Sequence, residues 1–340
     1  MRLPIPSSRR GVATAVAAVA ISVTACGAGS SLAGVHEAPA QVTTTAPLSA
    51  RSAESIATRV MTLAGQARTA PADQAKRLRA QALTGSALAV AEAADQLGTA
   101  QDTAGSPVVR NEPPKVLAIS RGTAWPRLML VQSTGADDAA VLNLLTTPDA
   151  ATPFKLAASA RMHPGAKVAA LDALQQGSPA EAGSVERPAG AKVAIAPKDL
   201  VTEYAASLTF PKPAAAPHVD ESDPFSSAVR ANAAAQAKSF GKLAALKQQH
   251  QPQDGQTVTI ALKGGGALVF TLLQRVDTIT LSPGGKSLTP SPEFQKLVGK
   301  KTLTKNAELK SYETVVFTVP VQGKASVVAV DEALVSAKGA

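Results

Sequence analysis

The sequence predicts an α+β fold of two tandem domains, each an N-terminal helix packed on a curved antiparallel sheet. Three observations carry that reading. Residues 49–98 repeat apolar side chains at helical spacing, and residues 114–162 switch to the runs and alternation of strands. After a proline-rich stretch at 211–217 the same order, helix then strands, returns.

Helix is expected from Ser49, because Ile56, Val60 and Leu63 recur on one face while Glu54, Arg59 and Gln66 lie on others. Pro71 interrupts it. A second helical stretch passes Leu78 and Leu83 to a cap at Thr84 or Ser86, and Leu88, Val90, Ala94 and Leu97 carry it to Gly98. Beyond Pro113-Pro114, strands are expected at 116–119, 128–131, 141–145 and 154–162. Gly122, the run Gly135-Ala136-Asp137-Asp138 and Pro153 part them. A short apolar piece at 193–195 and a short helix at 198–208 follow.

Pro211, Pro213 and Pro217 stiffen an extended segment that cannot be helical, which sets the expected division of the chain. Residues 1–25 read as a signal peptide, 26–48 as a flexible tether and 49–208 as the first domain. Residues 209–222 then form a linker and 223–340 the second domain. Ser222-Asp223-Pro224 starts a helix, with a side-chain cap before a proline at the first helical position. The helix is expected to reach about Gln249, with Val229, Ala233, Ala237, Phe240 and Ala244 on one stripe. Phe240 is expected to be buried against strands carrying Ile260, Phe270 and Phe317. Strands at 257–262 and 268–272 flank Gly264-Gly265-Gly266 as a hairpin. Further strands are expected at 278–281, 312–319 and 326–330, with a short helix at 293–298.

The N-terminus specifies a location. Arg2, Arg9 and Arg10 precede an apolar segment at 12–23 that is too short to span a bilayer comfortably, and Val23-Thr24-Ala25 leads to Cys26, the one cysteine of the chain. This order is a bacterial lipoprotein signal, in which the Cys26 thiol carries a diacylglyceryl group and the chain is cut just before it. Two acyl chains anchor stably, so the protein is expected on the extracytoplasmic face of the cell membrane.

Composition narrows the function. With Cys26 lipidated, no cysteine remains for disulfides or thiolate metal sites. Alanine is about a fifth of the chain and aromatics are 3%, so much of the apolar content is small. The net charge is +9, of which three charges lie in residues 1–25, leaving +6. Nucleic-acid binding wants clustered basic residues interleaved with stacking aromatics, and Trp125, Tyr204 and Tyr312 are too few. No nucleic acid partner is expected. The basic excess suits an anionic envelope polymer or headgroups beside the anchor, with Lys296, Lys300, Lys301, Lys305 and Lys310 its one concentration.

No catalytic, cofactor or metal motif stands above background. Ser239-Phe240-Gly241-Lys242 has the Ser-x-x-Lys spacing of penicillin-recognising enzymes and Lys263-Gly264-Gly265 loosely echoes their strand motif, but Ser239 falls late in its helix. The triple glycine joins strand to strand, not strand to the helix that phosphate binding needs. His36, His163, His218 and His250 are isolated. Asp220, Glu221 and Asp223 lack the glycine and terminal glutamate of a calcium loop, and suit a linker and a helix cap.

The lipid-attachment signal, Thr84-Gly85-Ser86-Ala87-Leu88, Trp125-Pro126-Arg127 and the ending from Val328 to Ala337 resemble an uncharacterised family of actinobacterial lipoproteins. That resemblance implies no activity, cofactor or catalytic residue. The order of elements is also similar to cystatin-like and nuclear-transport-factor-like units, in which a curved sheet wraps a helix and forms a pocket. The expected function is a membrane-anchored binding or interaction module of the cell envelope. Its partners are the membrane, through Cys26, and an envelope protein or anionic polymer. One alternative is a small hydrolase or isomerase using a buried carboxylate of raised pKa, Glu203 or Asp277. The other is a structural spacer without a pocket.

Overall fold

The computed structural model describes residues 45–98, 113–135, 137–183 and 191–340. Cys26, His36 and the expected signal peptide lie outside them. Among the described residues there are six helices and a curled antiparallel sheet. The helices are α1 (Ala50–Thr69), α2 (Ala72–Ala82), α3 (Gly85–Leu97), α4 (Pro197–Ser207), α5 (Pro224–Phe240) and α6 (Pro292–Val298). None is long and apolar enough to cross a membrane. The strands are β1 (Lys115–Ile119), β2 (Arg127–Thr134), β3 (Ala140–Thr147), β4 (Lys155–Met162), β5 (Ala180–Ala182), β6 (Val219–Asp220), β7 (Ala244–Pro252), β8 (Val258–Ala261), β9 (Ala267–Leu281), β10 (Asn306–Val319) and β11 (Ala325–Gly339).

Local chemistry sets the helix ends. Ser49 Oγ accepts from Ser52 N, Asp223 Oδ1 from Ser226 N and Ser291 Oγ from Phe294 N, three N-caps worth about 1 kcal/mol each. Pro71 parts α1 from α2, and Gly98 closes α3 in the left-handed conformation. The stripe that α1 buries is mostly Ala53, Ala57, Val60, Met61 and Ala64, so small side chains bring the helix close to the sheet.

The strands run in the order β1-β2-β3-β4-β11-β10-β9-β8-β5, with β7 beside β9 and β6 beside β11. One sheet thus takes strands from both 49–208 and 223–340. It curls until its ends meet. Ser178 N donates to Ile119 O at 2.7 Å and Arg121 N to Ser178 O at 2.9 Å, joining the end of β1 to the approach to β5. Alternate residues of nearly every strand face inward. Ala118, Leu130, Leu142, Ala160, Ile260, Leu268, Phe270 and Val316 form one interior cluster.

The opposite face is covered by helices. Outward Val116, Met129, Val131 and Leu145 pack against α1, while Val269, Leu273, Val315 and Phe317 pack against Leu200, Val201 and Tyr204 of α4. The Tyr204 and Phe317 rings meet edge to face, centroids 4.9 Å apart.

Several expectations change here. Segment 209–222 is not a bare linker: Phe210 exchanges backbone hydrogen bonds with Gln248, Ala216 and Val219 are buried, and β6 pairs with β11. The helix expected to reach Gln249 ends at Phe240, because Gly241 adopts φ +54° and Leu246, Gln248 and His250 are then buried at alternate positions of β7. Phe240 is half-buried with Ala233, Leu246, Ile279 and Phe294. It misses Ile260 and Phe270, which face the sheet interior, and Phe317, which packs under α4. The triple glycine turns between β8 and β9. A Cβ at Gly266 would stand 2.7 Å from Val319 O, so that turn lies tight against the end of β10.

Candidate functional site

The sheet opens at one mouth for reasons readable in the chain. Alongside β9, the edge strand is broken between β7 and β8 by the turn at 253–257, which carries Gly255. Across the mouth, β4 meets β11 through two residue pairs, Ala329 with Met162 and Val330 with Arg161, after which the strands part and α3 packs against both. The start of α3 is tied into that fork. Thr84 N donates to Leu156 O at 2.9 Å and Ser86 Oγ to Ala157 O at 3.0 Å.

Between these features lies a cavity of about 190 Å³. Its wall is the mouth end of the interior cluster: Leu128, Leu144, Ala158, Val258, Phe270 and Leu272. Hydroxyls and one amide complete it, from Thr84, Ser86, Thr146, Thr271, Thr314 and Gln256. Among the described residues no charged side chain lines it. Thr271 Oγ1 is already paired with Thr257 Oγ1 at 3.1 Å, and Gln256 sits exposed at the rim. An apolar cavity of roughly 150 Å³ takes up benzene in preference to water, so this one suits a small apolar group with a polar tip.

The two carboxylates considered for catalysis lie elsewhere. Glu203 Oε2 pairs with His218 Nδ1 at 2.8 Å and Oε1 accepts from His218 N, on α4 and at the surface. Asp277 belongs to a buried ionic row on the outer face of the sheet. Register builds the row: His250 lies beside Arg275, Gln248 beside Asp277, and Arg275 beside Ser311. Glu313 is fully buried, accepting from His250 Nδ1 at 2.8 Å and from Arg275 Nη1 at 3.2 Å. Arg275 Nε reaches Asp277 at 3.1 Å and Nη2 reaches Glu332 at 2.6 Å. Burial disfavours the charge on Arg275, and Glu332, Glu313 and Asp277 more than offset it, so its pKa is raised. This row neither lines the cavity nor stands free to accept a proton from a substrate.

The remaining sequence candidates have structural partners. Ser239 Oγ donates to Gln236 O and stands exposed. Asp223 caps α5, Asp220 accepts from Ser222 N, and Glu221 pairs with Arg230 at 3.0 Å. Among the described residues no group of three His, Cys, Asp or Glu side chains is placed to hold a metal. Lys296 Nζ donates to Leu97 O and Lys300 Nζ to Gly339 O, while Lys301 and Lys305 stand exposed. Comparison of the chain with protein-family models, curated proteins and solved structures yields no match.

Proposed function

We propose that this chain is a lipid-anchored extracytoplasmic protein that binds a small, mostly apolar molecule at the mouth of its curled sheet. The observation that carries the reading is the lining of that cavity: apolar walls, a few hydroxyls among them and, among the described residues, no charged side chain. A spacer has no use for such an opening, and a hydrolase would want an ionisable group within it. The helix-then-strands order in both halves supports an origin as two α+β units of cystatin or nuclear-transport-factor type, fused along one sheet. The actinobacterial lipoprotein resemblance supports the envelope location. Contact with an envelope protein or anionic polymer belongs to the same proposal, through exposed Lys301 and Lys305.

The anchor is tested by growth with a fatty-acid probe. Wild type should be labelled and fractionate with membranes, and Cys26→Ala should lose both. A labelled, membrane-bound Cys26→Ala variant would sink that part. For the cavity, organic extracts of protein purified from its own membranes should contain a molecule that is absent from an Ala158→Leu variant, whose added carbons fill the space.

A further inference from the structure

Three large apolar side chains stand exposed among the described residues, Leu243, Val321 and Trp125, and Trp125 is 42% exposed. Its placement sets it apart from the other two. Trp125 sits in the β1–β2 loop, where Thr123, Ala124 and Pro126 are exposed with it and Pro126 also lines the mouth cavity. One face of the indole is taken by Arg127, whose guanidinium carbon lies 4.5 Å from the ring centroid while Nη1 donates to Gly122 O at 2.9 Å. Among the described residues Arg127 has no carboxylate partner. Two acids on neighbouring segments are otherwise engaged. Asp172 pairs with Arg121 at 2.7 Å, and Asp149, two places beyond the Thr147 that faces Arg127 across the strands, accepts from Ala151 N and Thr152 N. The same loop marks where the N-terminal chain joins the fold: Gly122 N donates to Thr45 O at 3.1 Å, and Ala46 N donates to Gln175 O at 3.2 Å. Cys26 precedes Thr45 by 19 residues, which in any conformation reach at most about 70 Å.

We propose that Trp125 and Arg127 form a membrane-contact surface, the indole lying at headgroup level and the guanidinium against lipid phosphate. The proposal rests on the Cys26 anchor. One basic residue near an anionic surface is worth only about fivefold in affinity, so this pair alone would hold a protein weakly. An anchor at Cys26 makes the weak contact intramolecular, because it keeps the loop within reach of the bilayer. An indole beside an unpaired guanidinium suits the headgroup zone, which offers the ring hydrocarbon ends and the cation phosphate oxygens. A protein-docking patch would want further large apolar side chains around the ring, and its neighbours Thr123 and Ala124 are small. With the loop so seated, the rim at Pro126 adjoins the bilayer, where apolar molecules are concentrated.

Trp125 is the one tryptophan of the chain, so its fluorescence reports this loop alone. The full chain is coupled through Cys26, the one thiol, to a maleimide lipid in vesicles of phosphatidylcholine and phosphatidylglycerol. This chemical anchor separates two failures. Loss of fatty-acid labelling in cells tells against the Cys26 reading, whereas the vesicle measurement tells only on the contact. On the vesicles, Trp125 emission should shift to the blue, lose about half its intensity to lipids brominated near the headgroup, and become shielded from iodide. Arg127→Gln should lower the bromine-quenched fraction, and Arg127→Lys should restore it. Moving the fluorophore to the β10–β11 turn, with Trp125→Phe and Val321→Trp, should give emission that iodide quenches and brominated lipid does not. The wild-type measurement decides the matter if a variant does not fold. The proposal is overturned if Trp125 stays open to iodide and unquenched by brominated lipid, or if the relocated tryptophan is quenched as strongly. It is also overturned if the blue shift appears without vesicles and grows with protein concentration, which would mark a contact between copies of the chain.

Discussion

Asp331 illustrates how a single side chain takes its character from backbone placement. It follows Val330, the last residue of β11 paired to β4, and keeps a neighbour on one side only, Thr314 of β10. Its raised pKa fixes the sign of a stability effect. The folded state holds a proton on Asp331 between its unfolded value, about 4, and its folded value, so the associated stability is full below that window and lost as pH rises through about 7. Glu332, raised by burial against the pull of Arg275, acts in the same direction. In urea unfolding, Asp331→Asn should match wild type only below about pH 4, gain on it as pH rises to about 7, and exceed it near pH 8. Identical pH profiles for the two proteins would contradict this. Neither Asp331 nor Glu313 was legible as special in the sequence. Glu313 did leave a trace, as the one charged residue in the run from Tyr312 to Val319.

At the scale of elements, what could be read was whatever local chemistry decides. Ser49, Pro71, Gly98 and Asp223 bound their helices because each acts within one turn of itself. The step from α5 to β7 was not legible, since Ala244 to Gln251 is rich in helix formers and the buried residues Gln248 and His250 are polar, which erases the alternation that marks a strand. Their burial makes sense only once Asp277 and Glu313 stand opposite. The same argument makes Gly241 the residue that ends the helix. Its φ of +54° with ψ of −122° is open to glycine and costly to alanine, although a Cβ there meets nothing within 4 Å. Gly241→Ala should cost about 1–2 kcal/mol in chemical denaturation. Gly284→Ala, equally unobstructed and without a positive φ, should cost close to nothing. Equal effects would show that Gly241 does not set the boundary.

For the molecule as a whole, the decisive feature is that residues far apart in sequence share one interior. Leu128 and Leu142 touch the same cluster as Ile260, Phe270 and Val328, and β4 and β5 pair with β11 and β8. Thermal unfolding followed at Tyr204, on α4, and at Trp125, near the mouth, should therefore show one coincident transition. Two well-separated transitions would mean that 49–208 and 223–340 fold as independent units. The helix-then-strands order was visible in sequence, whereas the joining of the halves was not, because pairing across more than a hundred residues leaves no local pattern. The mouth cavity was hidden for the same reason: its lining is drawn from Thr84 through Thr314.

That cavity carries the central claim, and methyl NMR tests it most directly. With leucine and valine methyls labelled, benzene is titrated into the full chain in detergent. Saturable shifts are predicted at Leu128, Leu144, Val258 and Leu272, with Leu200 and Val201 on α4 unmoved, and Ala158→Leu should remove the shifts while leaving the melting temperature within a few degrees. Shifts spread evenly over all of these methyls, or shifts that persist in Ala158→Leu, would contradict a binding cavity at the mouth of the sheet.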